Sequence, residues 1–346
     1  MQERKANPTE QAPRVEWVDS FKGIAIVLVV IGHVIGGLRT SGILSDSSRF
    51  LYRWIYAFHM PALFFASGLF ARRSLGEGFA RFLGKKLQRI AYPYFVWGLL
   101  TWACQMLMSD YMNTRPDPWG PLRLFYCPEA GPWFLYILLV IFLVFAAVTR
   151  LRISRSGFVA ISGVVYALGI AGVFSFWSAL DKTSEFLMYF ALGAAVGRES
   201  QQLAGRGSMR WLAVLALGSL ILLSALVWLG LDEIRTARPL PALAGIVALY
   251  ALSCGLAQAG RSTFFRLCGV MSLEIYVLHP FPSVLGRAVL LRGCGIHAAW
   301  PHVAVGVTLG VCGPLAVAWL CRRFDFPYLF RWGKGRPRHA LLATAT

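Results

Sequence analysis

Apolar runs long enough to cross a bilayer recur along this chain, and no other feature narrows its fold so far. A helix rises 1.5 Å per residue, so about 20 apolar residues cross the roughly 30 Å hydrocarbon layer. Ten segments meet or approach that length: roughly residues 20–38, 51–71, 88–108, 132–149, 158–177, 183–198, 211–230, 239–259, 264–290 and 299–321. The sixth is short. The ninth contains His279-Pro280 and Pro282, which predicts a kink. Composition agrees: 57% of residues are hydrophobic and only 14% are charged, against about 25% charged in a soluble domain. The fold class is an all-α integral membrane protein with about ten transmembrane helices.

Orientation follows from the basic residues. With the N-terminus placed in the cytoplasm, 23 of the 34 Lys and Arg fall on inner segments and ten on outer ones. Lys22 alone falls within a span. Cytoplasmic loops concentrate Lys and Arg, so both termini are predicted inside. The same asymmetry absorbs the net charge of +18, which no nucleic-acid-binding motif accompanies. Nucleic acid is therefore not an expected partner. Residues 1–15 read as a cytoplasmic N-terminal segment and 16–323 as the transmembrane domain. Residues 324–346 read as a basic cytoplasmic tail that touches anionic lipid. The first apolar run is long and lacks a small-residue cleavage site, so it reads as an uncleaved span. Seven scattered cysteines form no C-x-x-C pair and no H-E-x-x-H is present. No metal site is expected.

Ionisable groups inside spans are costly and face a protein interior or a wet cavity. Three histidines meet that description: His33 in the first span, His59 in the second and His279 in the ninth. Counted from the span ends, they fall at comparable depths, somewhat outside the midplane. A shared chamber explains all three; taken singly, each could be an interhelical hydrogen-bonder. Glu274, also near mid-membrane by count, is a candidate partner for an imidazole or a cation. Lys22 and His33 are eleven residues apart, three helical turns plus about 20°, so they share one face and stand roughly 16 Å apart along the axis. Asp19, one turn before Lys22, can pair with it. The plainer reading of that pair is a snorkelling ion pair at the interface. Arg72, Arg73, Lys85, Lys86 and Arg89 form a basic cluster on the same inner side, which topology alone would also produce.

Two motifs carry a resemblance. The first is W-x-D-x-x-K-G-I-A-I-x-L-V-V-x-G-H over residues 17–33, and the second is F-H-M-P-x-L-F-F-x-S-G over 58–68. W-F-L after Gly131 and I-Y-x-L-H ending at His279 add to them. Together they resemble the acyltransferase family 3 integral membrane proteins, particularly those similar to sugar O-acetylases. The resemblance implies a ten-span core and an acyl-CoA donor, acetyl-CoA or another, taken from the cytoplasm as substrate rather than as a resident cofactor. It implies a carbohydrate or glycolipid acceptor at a bacterial cytoplasmic (inner) membrane. In that family a basic residue, usually arginine, precedes the first-span histidine at this spacing; here it is Lys22. Glu274 stands where the family pattern has a small residue.

Acyl transfer from a thioester needs a base for the acceptor hydroxyl and stabilisation of an oxyanion. His33 is the expected general base or transient acyl carrier, with His59 and His279 orienting the acceptor or polarising the carbonyl. Lys22 with its neighbour Asp19, and Arg72, Arg73 and Lys86, would meet the anionic nucleotide end of coenzyme A. The alternative is a proton-coupled transporter or flippase of a polar or glycolipid substrate, with the histidines as proton relays.

Overall fold

In lipid every backbone polar group must find an internal partner, so spanning segments have to be helices or closed barrels. The computed structural model describes residues 15–107, 117–203 and 207–333, and the described residues contain helices and turns but no strand. The predicted N-terminal segment to residue 14 and the tail from 334 onward lie outside them. The helices are α1 (Glu16–Thr40), α2 (Arg49–Tyr56), α3 (His59–Gly68), α4 (Ala71–Gly76), α5 (Phe79–Lys86), α6 (Tyr92–Leu107), α7 (Gly120–Arg123) and α8 (Trp133–Arg150). They continue as α9 (Arg155–Ile170), α10 (Ser178–Leu203), α11 (Met209–Trp228), α12 (Pro239–Gln258), α13 (Thr263–Val270), α14 (Ser272–Leu278), α15 (Pro280–Ala288) and α16 (Ala299–Arg323).

Among the described residues six stretches are long and apolar enough to cross a membrane: α1, Asp46–Gly76, α8, α11, α12 and α16. The other predicted spans depart from that form for identifiable reasons. The third passes through a π turn at Leu87–Ala91, two residues before Pro93, whose missing N–H leaves an α-helical ladder incomplete. The fifth, α9, stops at Ile170, where Gly172 adopts φ +80° and Val173 N–H closes on Leu168 O. The sixth, expected to be short, is the 26-residue α10, and its first two turns carry Asp181, Lys182 and Glu185 in ion pairs. The ninth is broken at Met271 and again at His279, the second break falling on the expected kink. The second span is also interrupted, at Ala57-Phe58, between α2 and α3.

Lipid tails are as apolar as leucine, so helices associate in a membrane by close packing rather than by expulsion of water. Two crossings here bring backbone onto backbone. At α1/α13 a methyl added to Gly23 would stand 1.7 Å from Phe265 O, and one added to Gly269 would stand 1.7 Å from Asp19 O. At α3/α10 a methyl on Gly193 would meet Phe65 O at 2.1 Å, and one on Gly68 would meet Phe190 O at 2.2 Å. The second crossing holds α3, and with it His59, against an aromatic stack that includes Phe64 and Phe186, 4.7 Å apart. Facing outward, Val214, Leu217 and Ile221 of α11 form an exposed apolar stripe suited to lipid.

The first residues assigned to the tail fold back onto α6. Trp97 Nε1 donates to Leu329 O at 2.8 Å, Tyr92 Oη donates to Tyr328 O at 2.7 Å, and Phe330 is buried against Trp97. All seven cysteines are free thiols.

Gly23→Ala or Gly269→Ala should destabilise the protein by roughly 1–3 kcal/mol, the usual cost of overpacking a tight contact. Gly218, with nothing near the position of an added methyl, supplies the control. In a fluorescence-detected thermal unfolding assay, Gly218→Ala should match the unsubstituted chain and the other two should melt lower. Equal melting of all three would refute the backbone crossing.

Candidate active site

The helix breaks position the histidines. Pro280 has no N–H, so Tyr276 O loses the partner that a continuous helix would give it. His279 Nδ1 takes that place, 2.9 Å from Tyr276 O and 3.0 Å from Ile275 O. After the break at Ala57-Phe58, His59 Nδ1 lies 2.7 Å from Ile55 O in the same manner. A carbonyl oxygen only accepts, so in both rings Nδ1 is the protonated nitrogen. Each neutral ring then presents Nε2 as a bare acceptor. His279 Nε2 is buried with no partner among the described residues.

His33 comes from α1 to meet them. Its ring is 5.0 Å from that of His279, nearly edge-on, and 6.4 Å from that of Tyr56. Tyr56 in turn is 4.8 Å from His59. The three imidazoles therefore belong to one cluster joined through a tyrosine. His59 and His279 are buried, at 1% and 2% exposure, whereas His33 is open. The space it opens into is a chamber of about 350 Å³ lined also by His59, Tyr52, Tyr56, Trp133, Phe186, Tyr189 and Tyr276. His33 thus faces the protein interior rather than hydrocarbon. Tyr276 is fixed by accepting the Phe134 N–H at 3.2 Å, in the first turn of α8.

Arg53, Asp232, Glu185 and Arg238 complete the wall. Arg53 Nε donates to Asp232 Oδ2 at 2.9 Å and its Nη2 donates to Val227 O at 2.9 Å. Arg238 Nη1 donates to Glu185 at 3.3 Å and its Nε donates to Asp232 O at 3.0 Å. Arg49 and Glu233 pair just beyond, at 3.0 Å. These partners join α2 and α10 to residues 229–238, the connection that the basic-residue count assigns outside. No lining residue of the chamber comes from the opposite end of the bundle.

The remaining sequence-predicted residues lie elsewhere. Lys22 is half-buried at the start of α1, and Ile26 and Val29, on the face between it and His33, are fully buried. Lys86 joins Lys22: its ammonium sits 3.5 Å from the centre of the Phe142 ring. Burial, then the neighbouring charges of Arg89, Lys22 and Lys85, push Lys86 down to about 7. Arg72 faces the charge of Arg155, and Arg73 is exposed near Glu77, so these two stand apart from the Lys22–Lys86 group. Asp19 is half-buried at the Gly269 crossing. Glu274 stands 3.6 Å from Arg322 and is not part of the chamber wall.

Sequence reasoning passed over Tyr56, Tyr189, Glu185, Asp232 and Arg238. Glu185 did carry a signal, as an acid inside a predicted span. Its partner lies 53 positions away in a connecting loop, a pairing that no periodicity announces.

Helices fit for a bilayer, packed around a cavity lined by His33 and His59, define an integral membrane protein with an internal site. The chain belongs to the family described as Acyltransferase domain, whose model matches residues 15–322. It is similar to the Nodulation protein NolL of Mesorhizobium japonicum (strain LMG 29417 / CECT 9101 / MAFF 303099), 29% identical over 104 residues. That match covers 29% of this chain and 27% of the relative. No solved structure matches the chain.

Proposed function

We propose that this chain moves an acyl group, acetyl in the first instance, from cytoplasmic acyl-CoA to a hydroxyl of a carbohydrate or glycolipid acceptor. The setting is a bacterial cytoplasmic membrane, crossed ten times with both termini inside. One observation carries the reading: His33 opens into the chamber beside His279 while sharing a face of α1 with Lys22.

In this scheme His33 takes the proton of the acceptor hydroxyl as its oxygen attacks the thioester carbonyl. The tetrahedral adduct collapses, the C–S bond breaks, and the imidazolium returns its proton to the departing thiolate. The Nδ1–H form of His59 leaves it no donor to offer an oxyanion. Its Nε2 suits a hydrogen bond from an acceptor hydroxyl, so it orients the acceptor rather than polarising the carbonyl. A small shift of the His33 ring would bring one of its N–H groups to the unpartnered His279 Nε2, leaving the other nitrogen as the base. Tyr56 is the tyrosine whose ring lies against both His33 and His59. At the other end of α1, Lys22, Lys86 and Arg89 receive the phosphates of coenzyme A. The pantetheine arm then runs along α1, a course that requires the seam at Ile26 and Val29 to open.

His33→Ala should lower acyl transfer about 10²–10⁴-fold, the usual contribution of a general base, with melting temperature and membrane insertion unchanged. Transfer of label from acetyl-CoA to glycan by purified protein is the readout, and full activity in this variant would sink the proposal. Movement of glycan across the membrane with no label transferred would favour the transport alternative.

Lys86 gives a pH signature. With its pKa lowered to about 7, its positive charge is present below that pH and lost above it. The apparent KM for acyl-CoA should therefore rise between pH 6 and pH 8. Lys86→Arg, charged throughout this range, should flatten the rise. A slope that survives the exchange would remove Lys86 from the donor site.

A further inference from the structure

We propose that the chamber selects an uncharged, hydroxyl-rich acceptor, and that the Glu185–Arg238 pair sets this preference. The inference rests on the acyl-transfer reading of the same chamber and specifies its acceptor.

The four charged residues of the wall comprise two cations and two anions, and each is already mated. The Arg53–Asp232 pair is the less open of the two: its side chains are 19% and 8% exposed, and Arg53 also donates to Val227 O. The Glu185–Arg238 pair is more open, at 26% and 38%. Its geometry leaves capacity to spare. Arg238 uses Nε on Asp232 O and Nη1 on Glu185, and a guanidinium has five N–H donors. Glu185 engages Arg238 through one oxygen, Oε1. A neutral polyol can therefore accept hydrogen bonds from Arg238 and donate one from a hydroxyl to Glu185 without separating them.

A charged acceptor meets a different balance. A carboxylate reaching Arg238 must displace Glu185 or stand beside it, and like charges at such range are unfavourable. An ammonium reaching Glu185 faces Arg238 in the same way. The rest of the wall is aromatic or neutral: Trp133, Tyr189 and Tyr276 together with the imidazoles. These offer apolar sugar faces a surface and hydroxyls a partner, and they offer no charge to compensate another. The volume, about 350 Å³, lies near the lower end of ligand sites, about 300–1,000 Å³. It accommodates the terminal part of an acceptor, whose own charge is then what the pair reads.

The test is binding without donor. Purified protein in nanodiscs is titrated calorimetrically with methyl β-glucoside, methyl β-glucuronide and the protonated methyl β-glucosaminide. The glucoside should bind, and each charged analogue should bind at least about tenfold more weakly, a difference of about 1.4 kcal/mol. Glu185→Gln, which leaves Arg238 uncompensated, should shift preference roughly tenfold toward the glucuronide. Arg238→Gln should shift it similarly toward the glucosaminide. Either charged sugar binding the unsubstituted protein as tightly as the glucoside would overturn the proposal, as would failure of all three to bind. The unsubstituted protein decides the matter even if a variant does not fold. Addition of labelled acetyl-CoA to the same samples separates the two readings. Selective binding with no label transferred upholds the selectivity and removes the acyl-transfer reading; equal labelling of glucoside and glucuronide removes the selectivity alone.

Discussion

A backbone carbonyl left without a partner in hydrocarbon costs on the order of several kcal/mol, and that penalty organises the centre of this protein. The chain interrupts two of its helices where it can least afford to, at Ala57-Phe58 and at His279-Pro280. In each case an imidazole Nδ1–H bonds to a carbonyl of the turn before the break. Repair of the backbone thereby fixes the tautomer of the ring. The same break that threatens the fold aims a basic nitrogen away from its own helix, and the glycine crossing of α3 with α10 holds His59 at the chamber wall.

Charge is distributed by the same economy of solvation. On the side that the basic count assigns outside, Arg49, Arg53, Arg235 and Arg238 are matched to Glu233, Asp232, Asp181 and Glu185. That neutral, cross-linked rim ties α2 and α10 to residues 229–238 and gives the chamber a polar wall without net charge. At the opposite end, Lys86 is buried against Phe142 with Lys22 and Arg89 close by. Crowded cations held in a poorly solvated place favour an anion that would relieve them. The two ends of α1 thus present contrasting chemistry to the two substrates of the proposed reaction.

Much of this could be read from the sequence, because membrane solvation leaves a strong imprint on residue order. His33, His59 and His279 stood out as polar groups in apolar runs, and counting residues was enough to put them at one level. Pro280 marked the break that positions His279. Other features depend on distances that sequence does not encode. Glu274 looked by depth like a partner for an imidazole or a cation, and it stands 3.6 Å from the cation Arg322 rather than among the imidazoles. Arg72 and Arg73 were grouped with Lys22 by side of the membrane, yet Arg72 packs toward Arg155. Phe330 sat in a segment read as a basic tail on anionic lipid, and the indole of Trp97 draws it onto α6. The ion-paired rim escaped notice because each partner alone looks like an ordinary loop or helix-end charge.

The central claim is that one imidazole, open to the chamber, serves as base for an acceptor hydroxyl while the acyl group it attacks is delivered along α1 from the other side. Sided proteoliposomes test it most directly. With the protein oriented uniformly, labelled acetyl-CoA is sealed with the face bearing Lys22 and Lys86, and the glycan acceptor is supplied only to the opposite face. The account predicts label on the acceptor while the membrane stays impermeable to both substrates. Label appearing only when donor and acceptor share one compartment would contradict it.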